Sequence, residues 1–438
     1  MDKNNSSVNK STRGKFLSAL IVFSLTGQIA WVVENMYFNV FIYKMFGANE
    51  TEISLMVALS SVAATITTLL IGALSDKIGK RKIFISGGYI LWGLSILSFA
   101  LVNKGTIGAI FPMATSVSAI CITITIILDC VMTFFGSGAN DACFNAWLTD
   151  STDSSNRGMA EGINAMMPLV AILAVFGGFI GLDTSKEESW TIIFLVIGIA
   201  VILIGILGFF IISDPEIKTE ENKHYFRNII YGFKPSVVKK NPKLYLYLLL
   251  FTIFGTSIQV FMPYLIIYYE KSLLMSDYVF IMAPAIVLAA VFTAIWGRMY
   301  DKLHFNKSVV PSLSILALGY LILIFARTHV PVFIGSLLMM CGYLSANAVF
   351  GAVIRDNTPQ NKAGMFQGLR IVGQVLIPGI VGPFIGAMVL KGAKKEIIDG
   401  VSTFIPNENI FIGALTVEVV LALALGIIIW VVKRHEKG

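Results

Sequence analysis

Long apolar runs, separated by short polar segments, dominate the pattern of this 438-residue chain. Each run has about 20 residues or more, which is the length that an α-helix needs to cross ~30 Å of hydrocarbon. The runs predict twelve membrane-spanning helices, six in each half, at about 16–43, 53–74, 83–102, 122–148, 159–181, 190–212, 244–269, 278–299, 309–326, 331–354, 365–390 and 410–432.

The two halves repeat each other in the polar segments that join the runs. One set of matching residues is separated by 206 positions and another by 225 positions. The pairs are Gly72 and Gly297, Asp76 and Asp301, Asp150 and Asp356, and Gly158 and Gly364. Duplicated membrane halves are typical of secondary transporters. The predicted fold class is therefore an all-α integral membrane protein with two pseudo-symmetric six-helix bundles.

The polar segments also predict the domain organisation. A cytoplasmic tail covers 1–15, the N-terminal bundle 16–212, a charged cytoplasmic central loop 213–243, the C-terminal bundle 244–432 and a second cytoplasmic tail 433–438. The first half carries an extra segment near 102–121, which we expect at the outer membrane surface.

Composition and charge exclude several classes of protein. With 56% hydrophobic and 13% charged residues, the chain is too apolar for a soluble protein. If the N-terminus is cytoplasmic, 25 of the 33 Lys and Arg residues lie on the cytoplasmic side, which predicts a multi-pass cell-membrane protein with both termini inside. The net charge of +7 then reflects topology and contact with lipid headgroups, so nucleic acid is not an expected partner.

The sequence contains no pattern typical of an enzyme or a metal site. The four Cys residues lack CxxC spacing and the four His residues fall in loops or the tail. No predicted helix carries a His pair, a nucleophile elbow or metal-ligand spacing. We expect no cofactor and no metal, and we expect a monomer whose partners are a small-molecule solute and the lipid bilayer.

The first copy of the repeated loop predicts a cytoplasmic gate. Gly72 lets helix 2 approach a neighbour, Gly79 allows a tight turn, and Arg81 belongs to a basic cluster expected at the headgroups. Asp76 is a lone carboxylate among these cations. One hypothesis is a crossed latch, in which Asp76 and Asp301 each bind the helix start of the opposite half. The alternative is that both acids neutralise local Lys and Arg.

The segments that such a latch would engage are the other repeated loops. The predicted gate residues are Gly72, Asp76, Gly79, Arg81, Gly297, Asp301, Asp150, Arg157, Asp356 and Gly364.

The segment from Gly72 to Lys82 resembles the cytoplasmic signature of the major facilitator superfamily, and 297–302 resembles a degenerate second copy. The segment 140–157 is similar to that of the glycoside/pentoside/hexuronide:cation symporters typified by the melibiose permease. The resemblance implies that Asp141 matches the acid of helix 4 in that branch. Thr68 and Ala64 stand where that branch has carboxylates in helix 2, so we expect proton coupling rather than sodium coupling.

Ionisable residues inside a membrane are costly unless they are paired or hydrated, and are therefore candidates for function. Glu34 in helix 1, Asp141 in helix 4 and Arg370 in helix 11 are the main ones; the alternative for Arg370 is snorkelling to the headgroups. Glu34 is the preferred proton carrier and Asp141 the second choice. The predicted binding or coupling residues are Glu34, Trp31, Tyr37, Asp141, Asn145, Gln259, Arg370 and Gln374.

Together these features predict a secondary active transporter that works by alternating access and is not an enzyme. Aromatic rings and amides suit a polyhydroxyl solute, so the expected reaction is symport of a sugar or glycoside with protons. The alternative is a proton-coupled exporter of drug-like or other organic compounds.

Overall fold

The computed structural model describes residues 2–152, 157–214, 231–359, 363–398 and 400–435. Within these ranges twelve helices are long and apolar enough to cross a membrane, which confirms the predicted fold class. In chain order they are α1 (Gly14–Phe46), α2 (Glu50–Ile78), α3 (Arg81–Leu101), α4 (Val117–Asp150), α5 (Gly162–Phe179), α6 (Glu187–Ile211), α7 (Pro242–Ser272), α8 (Val279–Gly297), α9 (Phe305–Phe325), α10 (His329–Asn357), α11 (Gly368–Leu390) and α12 (Asn409–Ile428).

Several helices extend beyond their apolar spans, and a few short elements join them. Helical structure begins at Asp2 before α1, at Arg157 before α5 and at Ala363 before α11, and it continues to His435 after α12. The short elements are helices Lys104–Ile110 and Pro235–Lys240, a 3₁₀ turn at Tyr231–Phe233, and the antiparallel strands β1 (Lys395–Ile398) and β2 (Val401–Phe404).

The chain turns back between α8 and α9, although its helical hydrogen bonding runs unbroken over Val279–Phe325. The indole Nε1 of Trp296 donates to the backbone oxygen of Ser308 at 3.2 Å. In a straight helix a separation of twelve residues corresponds to about 18 Å, which is beyond the reach of a side chain. The two spans therefore lie on either side of a sharp bend.

Local sequence explains where the first helices end and begin. Gly47 closes α1 in the left-handed conformation, at a φ of 72°. Asn49 Oδ1 then accepts the backbone N–H groups of Thr51 and Glu52, and Glu52 Oε2 accepts that of Asn49 at 2.8 Å. This reciprocal capping box satisfies amides that would otherwise be unpaired at the start of α2. It places a rigid, short turn between α1 and α2.

Small residues allow close helix packing, as expected where helices associate within lipid. A Cβ at Gly93 of α3 would lie 2.6 Å from the backbone oxygen of Gly198 in α6. A Cβ at Gly342 of α10 would lie 2.4 Å from the backbone nitrogen of Leu316 in α9. Many large apolar side chains are exposed on the outside of the spans, where lipid chains cover them in a membrane.

The chain divides into two compact units, 1–47 with 62–225 and 48–61 with 226–438. The segment 48–61, which starts α2, thus groups with the second unit, whereas the predicted N-terminal bundle of 16–212 included it. Inside the second unit, Thr403 Oγ1 of β2 donates to the backbone oxygen of Ala48 at 2.7 Å. The salt bridge of Lys271 with Glu396 ties β1 to the end of α7 at 2.9 Å.

Within the described ranges, four membrane helices contain π-helical segments. The segments are Val33–Phe38 in α1, Ser137–Phe144 in α4, Tyr268–Ser272 in α7 and Val372–Leu376 in α11. Such segments are rare in general and frequently occur at functional sites. They include Glu34, Tyr37, Asp141 and Gln374, which are four of the candidate residues predicted from the sequence.

Candidate functional site

Glu34 lies inside the first unit, where α1 packs beside α4. The residue is 8% exposed, and its Oε1 accepts a hydrogen bond from Thr133 Oγ1 of α4 at 3.0 Å. The neighbouring Trp31 stacks at a tilt against Trp92 of α3, with ring centroids 4.9 Å apart. Together these residues form a polar and aromatic patch at the π-helical segment of α1. Thr133 was not among the residues predicted from the sequence.

A second polar network surrounds Asp141 on α4. Asn140 Nδ2 donates to Asp141 Oδ1 at 3.2 Å, and the hydroxyl of Tyr89 from α3 lies 2.8 Å from Asn140 Oδ1. Asp141 itself is half-buried, whereas Asn140 is 3% exposed. The side chain of Trp31 also approaches the Asp141 carboxyl group. Trp31 therefore lies near both acids of the first unit.

Gly27 of α1 makes room for this network. A Cβ at Gly27 would lie 2.4 Å from Asn140 Oδ1 and 2.7 Å from the hydroxyl oxygen of Tyr89. The glycine is required here by close approach, because larger side chains would displace both polar groups.

We expect Gly27→Ala to destabilise the protein by about 1–3 kcal/mol, the usual cost of overpacking a well-packed interior. Thermal unfolding of the detergent-solubilised variant measures the effect. Gly87→Ala on α3 is the matched control, since a Cβ there meets no atom within 4 Å. Equal melting temperatures for both variants would contradict the proposed steric role of Gly27.

The remaining predicted residues of the first unit lie in different environments. Tyr37 is 1% exposed and packs edge-on against Phe179 of α5, with ring centroids 4.9 Å apart. It is a core residue, and its predicted part in binding or coupling stays a prediction. Asn145 is exposed and lies one helical turn after Asp141 in the sequence. Its Nδ2 donates to the Asp141 backbone oxygen at 3.1 Å.

The predicted residues of the second unit lie on α7 and α11. Gln259 of α7 is half-buried, and a Cβ at Gly382 of α11 would lie 2.4 Å from its Cβ. Gln374 and Arg370 are also half-buried. The Nε of Arg370 is buried and has no hydrogen-bond partner among the residues that the structure describes. The predicted role of Arg370 in binding or coupling stays a prediction.

The gate motif of the first unit is built around Arg81. Gly79 adopts a φ of 71°, which turns the chain tightly from α2 into α3 and brings Arg81 to the first position of α3. The guanidinium contacts Asp76 at 2.5 Å, Asp150 at 3.0 Å and Ser75 Oγ at 2.5 Å.

The sequence predicts Arg81 at the lipid headgroups. In the structure Arg81 is only 4% exposed, so it does not extend to them. A planar guanidinium carries five N–H donors and can therefore donate hydrogen bonds to several acceptors at once. Asp76 is thus paired with a nearby arginine, as in the alternative to the crossed latch. Gly72 lies within the same turn of α2, and its backbone oxygen accepts from Ser75 Oγ at 3.1 Å.

The second copy of the motif uses a different contact. Tyr300, in the bend between α8 and α9, donates a hydrogen bond from its hydroxyl to Asp356 Oδ2 of α10 at 2.7 Å. Burial and the nearby Asp356 carboxylate raise the pKa of Tyr300, so its hydroxyl remains a donor. Gly297 has open space around it, unlike the closely packed glycines elsewhere.

The crossed latch falls largely outside the described part of the chain. The side chains of Arg157 and Asp301 lie outside it, as do the surroundings of Gly364 and the segments 153–156 and 360–362. The latch therefore stays a prediction. The residues that are described contain no group of three or more His, Cys, Asp or Glu side chains that could hold a metal ion.

Glu418 of α12 was also missed at the level of the sequence. This residue is 3% exposed and lies within the last apolar run, so the rule that selected Glu34 applies to it equally.

Comparisons with known proteins agree with this architecture. A family profile described as Major Facilitator Superfamily matches residues 16–383. A comparison with curated proteins gives no match.

Solved structures of several transporters resemble the chain. The nucleoside transporter NupG has a TM-score of 0.66 at 11% identity, covering 93% of this chain and 97% of its own. A bacterial homolog of the human lysosomal transporter Spinster, inward-facing and occupied, has a TM-score of 0.66 at 15% identity, with coverages of 94% and 95%. The xylose transporter XylE from E. coli has a TM-score of 0.65 at 17% identity, with coverages of 93% and 96%.

Proposed function

Because the chain belongs to the Major Facilitator Superfamily, we propose that it is a secondary transporter that carries a small polar solute, a sugar or glycoside, together with protons. The protein works by alternating access as a multi-pass membrane protein with cytoplasmic termini. Membership of the melibiose-permease-like branch is part of this proposal, and the acid at position 141 supports it.

The observation that carries the proposal is the pair of acids in π-helical segments of the first unit. The carboxyl group of Glu34 accepts a hydrogen bond from the hydroxyl of Thr133, and that of Asp141 accepts one from the side-chain amide of Asn140. A hydroxyl donates to a carboxylate and accepts from a protonated acid, so it accommodates both states of Glu34. Such a group can take up a proton on one side of a membrane and release it on the other.

The groups around these acids suit a polyhydroxyl solute. The Trp31 ring offers an apolar face, and Asn145 offers an exposed amide with donor and acceptor atoms one turn from Asp141. One structural relative is a xylose transporter, which supports a sugar as the solute.

The test is uptake of labelled sugars and glycosides into phosphatidylcholine vesicles that contain the purified protein and carry an inward proton gradient. We expect accumulation above equilibrium for at least one solute, abolished by an uncoupler and absent from protein-free vesicles. A thermal-stability screen selects the solutes, because a ligand that binds the folded state raises the melting temperature. Uptake that ignores the gradient would contradict proton coupling, and extrusion of organic compounds would favour the exporter alternative.

A further inference from the structure

Glu418 lies on α12 in the second unit, in the middle of a membrane span. Its side chain is 3% exposed, and both carboxyl oxygens are buried without a hydrogen-bond partner among the described residues. Tyr320 on α9 lies near Glu418, but its hydroxyl oxygen is 3.4 Å from the hydroxyl oxygen of Ser257. A buried carboxyl group without partners is costly and requires an explanation.

A pocket of about 380 Å³ opens beside Glu418, between α9 and α12. This volume falls within the range of small-molecule sites, about 300–1,000 Å³. Its wall is apolar apart from Glu418 and Ser314, and the hydroxyl of Ser314 donates to the backbone oxygen of Val310 at 3.0 Å. Glu418 is therefore the ionisable residue of the pocket wall.

The rim of the pocket faces the lipid. Val310 on α9 is 45% exposed and Val419 on α12 is 50% exposed, both within membrane-spanning segments. Ala422 and Gly426 continue this exposed edge along α12. A ligand would thus enter from the hydrocarbon region, and it must itself be largely apolar.

We propose that this pocket binds a lipophilic amine, with the ammonium group paired to the Glu418 carboxylate and the hydrocarbon part against the walls of α9 and α12. An ammonium supplies both the missing charge and the missing hydrogen bonds, and such charge-assisted bonds are the strong ones in an apolar surrounding. A sugar does not fit, because its hydroxyl groups would lie against apolar walls without partners. This site is therefore separate from the one at Glu34 and Asp141.

Decylamine is a suitable probe, and decanol is its uncharged control. The melting temperature of the full-length protein in dodecyl maltoside should rise with decylamine concentration and should not rise with decanol. We expect Glu418→Gln to require a decylamine concentration on the order of tenfold higher, or more, for the same rise. Equal responses of the wild type and Glu418→Gln, or equal responses to the two probes, would overturn the proposal.

A second pair of variants tests the pocket with Glu418 intact. Ala422→Phe fills the space and should abolish the decylamine response, whereas Leu423→Phe should leave it unchanged. Leu423 is the matched control, because it lies next in sequence, is 64% exposed and does not line the pocket. An unchanged response in Ala422→Phe would contradict binding at this place.

Chemical protection tests the same point in the wild-type protein. Dicyclohexylcarbodiimide, an apolar reagent, adds to protonated carboxyl groups inside membranes, and mass spectrometry detects the adduct at Glu418. Decylamine should slow this modification and decanol should not; failure of decylamine to protect would overturn the proposal. None of these readouts depends on transport, so they are independent of the outcome of the uptake experiment.

Discussion

Glu34→Gln should abolish accumulation of the solute against its gradient while sparing exchange of solute across the membrane. The glutamine amide keeps the size of the side chain and can still accept the hydrogen bond of Thr133, but it cannot bind and release a proton. The variant separates proton coupling from solute binding, because the site keeps its shape and loses one titratable group. Vesicle uptake under a proton gradient, and counterflow without a gradient, measure the two activities side by side.

Two control variants sharpen this test. Glu34→Asp keeps a titratable group and should retain accumulation at a reduced rate. Glu187→Gln removes an exposed glutamate at the start of α6 and should behave as the wild type. Uphill uptake by Glu34→Gln at the wild-type level would dismiss Glu34 as the proton carrier and would leave Asp141 as the remaining candidate in the first unit.

Arg81→Ala should be the most destabilising substitution at the gate motif. It removes the contacts to Asp76 and Asp150 and the hydrogen bond to Ser75, whose side chain is fully buried. The two carboxylates are 42% and 31% exposed, so water partly replaces the lost partner and reduces the cost. We expect a loss of about 2 kcal/mol of unfolding free energy, together with slower transport.

Arg81→Lys keeps the charge but lacks the planar fork that reaches three acceptors, so it should fall between Arg81→Ala and the wild type. Lys80→Ala is the matched control, since Lys80 is exposed and makes no side-chain capping bond at the start of α3. Unfolding in mixed micelles at increasing dodecyl sulfate gives the order of stability. If Arg81→Ala were as stable as Lys80→Ala, the network would contribute nothing measurable.

The membrane helices could be predicted from the sequence because their signal is local. A run of about 20 apolar residues is itself the physical condition for crossing the bilayer. The bend between α8 and α9 was predicted as a polar loop, and the Trp296 contact with Ser308 confirms the reversal of the chain. Helical hydrogen bonding within that bend was not predicted, because polarity indicates contact with water and not backbone conformation.

The partners of the candidate residues were harder to predict, because they depend on packing between distant segments. Asp150 is 69 positions from Arg81, and Thr133 is 99 positions from Glu34. Residue type alone also did not distinguish Tyr37 in the core from an aromatic residue that faces a solute. Glu418, in contrast, lies inside an apolar run and meets the same sequence rule as Glu34.

The π-helical segment of α11 is equivalent to one extra residue inserted into an otherwise regular helix. Deleting one residue from Val372–Leu376 would restore the ordinary i→i+4 turn, and because the wider turn already absorbs the extra residue, the two ends of α11 would keep their relative orientation. Gly382 would still lie against Gln259 after such a deletion. Deleting one residue from a regular part of α11 would instead rotate the segment beyond it by about 100°. The π-helical segment is thus the place where α11 can lose a residue without displacing the contacts on either side of it.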